Sequence, residues 1–127
     1  MDKRLSSYLG CLLGLAVGDA MGAPVDSKNI SQIREDYGPN GILGYDLANG
    51  YAEISSYTQI ASFVCNGLLL GITRGQMTGT MAPFVGYIAL AERNWAGMQR
   101  YRREPGEKIH CWVARHDCMK ARRCMDT

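Results

Sequence analysis

A short polar run at residues 55–59 stands directly before a long apolar segment and holds the side chains best suited to chemistry. Ser55, Ser56 and Thr58 are residue types that cap helices, so we expect a helix to begin here. The N-terminus of a helix presents free backbone N–H groups and the positive end of the helix dipole, which attract anionic groups. The pattern is that of an anion-binding helix end at a cleft or of a capped core helix, and the residues alone favour the second.

Three aspartates are the other candidates for chemistry. Asp19 interrupts an apolar helical pattern, and a carboxylate beside such a face needs a partner or a cleft. Asp26 follows in the loop after that helix. Asp46 stands between Tyr45 and Tyr51 in a Gly-rich stretch, where these three residues either line a pocket or hold the loop in place.

The elements that must position these residues are helices. Apolar residues recur at helical spacing, no stretch alternates as a strand would, and we therefore predict an all-α fold in a compact bundle. The long irregular loop at residues 38–52 is a functional candidate because such loops are uncommon in compact domains. The predicted helices run from a cap at Ser6 or Ser7 to about Ala23, over residues 29–37, 56–72 and 81–100, and more weakly over residues 109–125.

Two patterns predict how the first and third helices pack. Gly10, Gly14, Gly18 and Gly22 recur every four residues along the first helix. Each interior glycine costs about 0.5–1 kcal/mol relative to alanine, so this spacing predicts close approach of another helix. On the third helix the predicted buried face consists of Ile60, Val64, Leu68 and Gly71, widened by Ala61 and Leu69.

The chain length and the net charge limit the number of domains and the classes of partner to expect. With 127 residues the chain is long enough for one domain, residues 1–127, and its net charge of +2 gives no reason to expect nucleic acid or an anionic membrane. Arginine and lysine are concentrated in the last third, which forms either a solvated helix face or a contact surface for an acidic partner. The candidate partner-binding residues are Arg100, Arg102, Arg103, Arg115, Arg122 and Arg123.

Cysteine usage predicts a reducing compartment. The five cysteines are odd in number, and Cys11 and Cys65 lie in apolar helical patterns where a free thiol acts as a small hydrophobe. Cys111, His116, Cys118 and Cys124 lack the spacing of a usual zinc site. The apolar run at residues 9–18 is too short to span a bilayer and is interrupted by Asp19, so we expect a cytoplasmic protein.

Several stretches resemble one known family. The segment GCLLGLAVGDAMGAPVD at residues 10–26 resembles an opening helix and the loop after it, and residues 37–42 and 49–55 resemble a second loop. Residues 58–59 and 66–69 resemble a metal-bearing helix, and residues 119–123 a later helix end. The family is that of the ADP-ribosylglycohydrolases, all-helical enzymes related to dinitrogenase reductase-activating glycohydrolase, and the chain resembles the N-terminal half of their fold.

The resemblance implies a site for ADP-ribose. Family members hydrolyse its glycosidic bond with two divalent ions, usually magnesium or manganese, held by a Thr/Ser-Asp-Asp triplet, by an acid at the place of Asp26 and by a distal acidic cluster. Here the triplet is Ser55-Ser56-Tyr57, so two anionic ligands are replaced by neutral groups. The chain is also short for the family, and the distal cluster is missing. Asp19, Asp26, Ser55, Ser56, Tyr57, Thr58 and Gln59 are therefore expected to be vestigial ligand or pocket positions.

These departures lead to three hypotheses. The first is a catalytically inactive, shortened member without a cofactor, which either binds and inhibits another protein, such as a host factor targeted by a mobile element, or holds ADP-ribose or a related nucleotide. The second is an active hydrolase in which Asp19, Asp26 and Asp46 rebuild a magnesium or manganese site, with any missing acids supplied by a partner chain. The third is a chain that folds only by pairing, which predicts a dimer or a tight complex. We favour the first.

Overall fold

The computed structural model describes residues 2–47 and 50–100, with Arg100 described by its backbone alone. Over these residues the protein is all-α, as predicted, and no β-strand occurs among them. The candidate residues Arg102, Arg103, Arg115, Arg122 and Arg123, the weak helical pattern at 109–125 and the last three cysteines lie outside them. The elements are α1 (Lys3–Gly22), a 3₁₀ turn (Ala23–Val25), α2 (Ile30–Tyr37), α3 (Ser56–Thr78) and α4 (Phe84–Arg100).

The chain divides into two units after Thr58, and α3 begins in the first unit and continues in the second. In the first unit, α1 begins earlier than predicted. Asp2, rather than Ser6 or Ser7, is its N-cap, and its side chain accepts a hydrogen bond from the backbone N–H of Arg4 over 3.1 Å. Ser7 lies inside the helix, where its hydroxyl donates to the Lys3 carbonyl. Aspartate at Asp2 outcompetes the serines because its charge also favours the positive helix end.

Helix α1 is less buried than its glycine spacing predicts. Of its twenty residues only Ala20 is buried. A Cβ added at any of the four glycines would meet no atom of the described residues within 4 Å, so the predicted close approach of a helix is wrong for this part of the protein. Large apolar side chains remain exposed along the helix: Leu5, Tyr8, Leu9, Leu13, Leu15 and Val17.

Helix α1 and the 3₁₀ turn after it are long and apolar. By length and composition alone Lys3–Val25, with 23 residues and a mean hydropathy of 1.4 over an 18-residue window, is long and apolar enough to cross a membrane. The run at residues 9–18, which is by itself too short to span a bilayer, is only part of this stretch. Core helices of soluble proteins and signal sequences satisfy the same test of length and composition. Asp19 lies within the stretch and engages α3, as described below.

The short helix α2 follows its predicted bounds closely. Asn29 and Gln32 form a reciprocal capping box at its start. Gly38 ends it with a positive φ of 85°, a conformation that favours glycine, and its N–H donates to the Arg34 carbonyl. From there to Ser55 the described residues form no helix, which confirms the long Gly-rich loop.

In the second unit, α3 is longer and α4 shorter than predicted. Helix α3 continues through residues 73–78 instead of turning at Thr73, and it ends before Gly79, which has a positive φ of 70°. Helix α4 begins at Phe84 rather than at residue 81. Pro83 lies just before the helix, and its carbonyl accepts the Gly86 N–H over 3.2 Å. The proline ring disfavours helical backbone at the residue before it, Ala82, which explains the later start.

The buried face of α3 agrees with the prediction at Gly71 and differs from it elsewhere. Ile60, Ala61, Val64 and Leu68 are only half-buried and Leu69 is exposed. The buried residues recur instead every four positions: Gln59, Phe63, Gly67, Gly71 and Gly75. A Cβ at Gly67 would lie 2.6 Å from the Tyr87 carbonyl oxygen, and one at Gly71 would lie 2.7 Å from the Tyr87 ring. Close approach of α4 to these glycines therefore decides which face is buried.

Candidate functional site

The N-terminus of α3 is held by a carboxylate from α1, and this contact is the centre of the candidate site. The backbone N–H of Ser55 donates to Asp19 Oδ2 over 2.8 Å, and the Ser55 hydroxyl donates to Asp19 Oδ1. The Thr58 hydroxyl and backbone N–H donate to Asp19 Oδ2 over 2.6 and 3.3 Å. The expectation that Asp19 needs a partner is thus met by two residues of the predicted cap.

Ser55 also caps α3 in the ordinary way. Its Oγ accepts the backbone N–H of Tyr57, two residues further on, over 3.2 Å. Asp19 and Ser55 together therefore accept three backbone N–H groups at this helix end, which would otherwise be open to an anion. The anion bound at this helix end is therefore the carboxylate of Asp19.

The electrostatic environment of Asp19 follows from this geometry. Burial raises the pKa of the half-buried carboxyl, but hydrogen bonds from the hydroxyl and backbone groups of Ser55 and Thr58 outweigh burial and lower the pKa below its ordinary value. Asp19 is therefore ionised at neutral pH, and its negative charge lies at the positive end of α3.

Asp19 and Asp26 share a small open pocket of about 160 Å³. Its other lining residues are Gly22, Ala23, Ser55 and Tyr57. The carboxylate of Asp26 is exposed and has no hydrogen bond or ion pair with the described residues. From the sequence, Gly22 is interpreted as part of the glycine repeat and Ala23 as the end of the helix, and neither is predicted as a pocket residue. Their small size, three and four residues after Asp19, was the available signal that they would leave room for a cavity.

Tyr57 is one wall of this pocket and does not fill it. Its side chain is 61% exposed, and the cavity stays open beside it. Ser56, the first residue of α3, is half-buried and is not among the lining residues.

Gln59 has a structural role in the second unit. It is fully buried, and its Oε1 accepts the Trp95 indole N–H over 3.1 Å and the Gln99 side-chain N–H over 3.0 Å. These contacts satisfy buried donors of α4. They explain why a polar residue occupies the buried face of α3.

Asp46 lies apart from the other two acids. It lines a second open pocket with Tyr37 and Tyr45, whereas Tyr51 is not among the residues that line it. The Tyr37 hydroxyl donates to Asp46 Oδ2 over 2.7 Å. The hypothesis that Asp46 joins Asp19 and Asp26 in a rebuilt metal site is therefore wrong.

The donor set can be compared with what the resemblance implies, a pair of magnesium or manganese ions. Such ions require several anionic oxygen ligands. Both oxygens of Asp19 are engaged by Ser55 and Thr58, which leaves Asp26 as the available carboxylate among the described residues of the pocket. Within residues 2–47 and 50–100, no three His, Cys, Asp or Glu side chains are grouped closely enough to hold a metal ion. These residues do not fit a two-metal centre.

Comparison with known proteins gives one result. A family model described as ADP-ribosylglycohydrolase matches residues 1–125. Searches among curated proteins and among solved structures found no match. Because the family model covers nearly all of the 127 residues, the chain belongs to the ADP-ribosylglycohydrolase family.

Proposed function

We propose that this protein has lost the hydrolase activity of its family and acts by binding another protein. The observation that carries the proposal is that both oxygens of Asp19 accept hydrogen bonds from Ser55 and Thr58. A two-metal hydrolase activates water with cations held by several acids. Here serine and tyrosine occupy triplet positions 56 and 57 in place of two aspartates, and one of the two carboxylates in the pocket acts as a helix cap.

The same contact argues against binding of ADP-ribose as the main role. A diphosphate binds well at a free helix N-terminus or through a bound cation. At α3 the backbone N–H groups of Ser55, Tyr57 and Thr58 already have acceptors. The exposed carboxylate of Asp26 would repel a second anion in a pocket of this size.

Protein binding is supported by the surface of α1. Leu9, Leu13 and Val17, spaced four residues apart, are 42%, 64% and 52% exposed. Large contiguous apolar patches are rarely exposed on soluble monomers, and where they are exposed they mark sites of interaction with other molecules. Inhibition of an enzyme partner is the form of binding that we favour, and we keep the cytoplasm as the proposed location.

The hydrolase question is decided by incubating the protein with an ADP-ribosylated substrate protein and with magnesium or manganese. We expect no release of ADP-ribose above the level without protein. The matched variant combines Ser56→Asp and Tyr57→Asp, which restores the family triplet, and we expect it to bind manganese in calorimetry whereas the unaltered protein does not. Metal-dependent release by the unaltered protein, abolished by Asp26→Asn, would overturn the proposal.

Binding of the nucleotide is tested separately. Calorimetry with ADP-ribose, with and without manganese, should give no saturable heat. A saturable signal that disappears in Asp26→Asn would establish the alternative, a nucleotide-binding protein.

A further inference from the structure

The second pocket of the first unit has no role in the proposed function and carries its own chemistry. It lies where α2 ends and the Gly-rich loop begins, and its volume is about 270 Å³. Tyr37, Tyr45 and Asp46 contribute its aromatic and charged side chains, and Ile42 and Leu43 contribute apolar surface. Tyr45 is 49% exposed, so its ring is accessible to a ligand from solvent.

The charge in this pocket is negative and unpaired. Asp46 accepts the Tyr37 hydroxyl through Oδ2, and no Lys or Arg among the described residues forms an ion pair with it. The hydrogen bond to Asp46 raises the pKa of Tyr37, so the phenol remains a neutral donor at physiological pH. The pocket thus has one carboxylate whose Oδ1 accepts no hydrogen bond from the described residues, and Tyr37 and Tyr45 line the same pocket.

Tyr37 already attracts one cation of this protein. The Lys28 ammonium lies 5.1 Å from the centroid of the Tyr37 ring, within the range of a cation–π contact. Lys28 is neutralised by Asp36, whose carboxylate oxygen is 2.8 Å away, and it is not among the residues that line the pocket. Its charge therefore does not satisfy Asp46.

We propose that this pocket binds an organic ammonium ion carried on a short apolar stem. The carboxylate of Asp46 would attract the positive charge, the tyrosine rings would contact its alkyl groups through their electron-rich faces, and Ile42 and Leu43 would pack against the stem. An anion is disfavoured by Asp46, and a neutral ligand would leave its charge uncompensated. This inference does not depend on whether the protein hydrolyses ADP-ribose.

The test compares choline with 3,3-dimethylbutan-1-ol, a neutral molecule of nearly the same shape. Titration of each into the full-length protein is followed by the chemical shifts of the tyrosine ring protons. We expect choline to bind at least about five times more tightly than the alcohol, the ratio given by about 1 kcal/mol of cation–π and ionic attraction. Equal affinities, or no saturable shift with choline, would overturn the proposal.

Variants assign the effect to this pocket. Asp46→Asn keeps a hydrogen-bond acceptor for Tyr37 and removes the charge, so it should reduce choline affinity to that of the alcohol. Asp26→Asn removes a charge from the other pocket of the same unit and should leave choline affinity unchanged. An equal loss in both variants would mean that choline responds only to overall charge, and this result also refutes a specific site. Circular dichroism of each variant establishes that it is folded.

Discussion

Asp19 shows how one side chain can serve both the fold and the site. Its carboxylate accepts hydrogen bonds from Ser55 and Thr58 and so joins the end of α1 to the start of α3. Hydrogen bonds to a charged group contribute about 1.5–3 kcal/mol, more than those between neutral groups. The residue that makes this pocket poor at holding a cation is therefore also one of the strongest local contacts of the first unit.

Replacing Asp19 by Asn should lower the free energy of unfolding by about 1–3 kcal/mol, because an amide offers one acceptor oxygen in place of two and carries no charge. Urea unfolding measures the loss. The control is Asp26→Asn, which changes the same atoms in the same pocket without breaking a hydrogen bond within the described residues, and should change stability by less than about 0.5 kcal/mol. Equal losses in the two variants would contradict the capping role.

The same pair predicts a pH dependence with a definite sign. The pKa of Asp19 is lowered from 3.8 on folding, so its stabilisation is complete above that value and is lost as the pH falls through the lower pKa of the folded state. The stability difference between the unaltered protein and Asp19→Asn should therefore be constant near neutral pH and shrink below about pH 4. A difference that stays constant into strong acid would exclude Asp19 as the titrating group.

At the scale of elements, small residues decide how α3 meets α4. The sequence favours a face of Ile60, Val64, Leu68 and Gly71, but of these only Gly71 is buried, on a face that it shares with Gly67. Glycine contributes no apolar side chain, but it lets the neighbouring helix come close. Gly67 therefore meets the backbone of Tyr87, and Gly71 meets its ring. Packing against a specific neighbour thus outweighs the local hydrophobic pattern.

Gly67→Ala should destabilise the protein by about 1–3 kcal/mol because the new methyl group would lie 2.6 Å from the Tyr87 carbonyl oxygen, a backbone atom that cannot rotate away. Gly14→Ala on α1 is the matched control. Its methyl group meets no described atom within 4 Å, so the variant should gain about 0.5–1 kcal/mol from helix propensity. Thermal or urea unfolding gives both values, and an unchanged or raised stability of Gly67→Ala would show that the approach at Gly67 is not tight.

At the scale of the whole molecule, the chain keeps the family's helical sequence pattern while its acids are distributed differently. Asp19 and Asp26 share one pocket and Asp46 lines another, so the described carboxylates are not concentrated in one place. On α1, six large apolar side chains are exposed: Leu5, Tyr8, Leu9, Leu13, Leu15 and Val17.

This surface predicts association in solution. We expect the protein to form a dimer or a tight complex, which light scattering detects as a mass above that of the 14.0 kDa chain. Leu13→Glu places a charge in the middle of the exposed face and should shift the protein toward the monomer, whereas Ile30→Glu, at an equally exposed position on α2, should not. A monodisperse monomer at all concentrations would count against self-association.

Much of this architecture could be predicted from the sequence because helix formation is local. Periodic apolar residues predicted the four helices described here, and the predicted range 29–37 agrees with α2 because Asn29 and Gly38 set its ends through local capping. The family, the loop and the need of Asp19 for a partner also follow from residue types alone. The predicted start of α1 was wrong because Asp2 and Ser6 are both capping residue types, and Asp2 is the one that caps the helix.

Only the tertiary structure decided which groups meet. The sequence could not show that Ser55 and Thr58, rather than a metal ion, would satisfy Asp19, nor that Asp46 would pair with Tyr37. It could not select the glycine face of α3, since that choice depends on the path of α4. Contacts between residues distant in sequence depend on how elements approach one another, and no local preference encodes that distance.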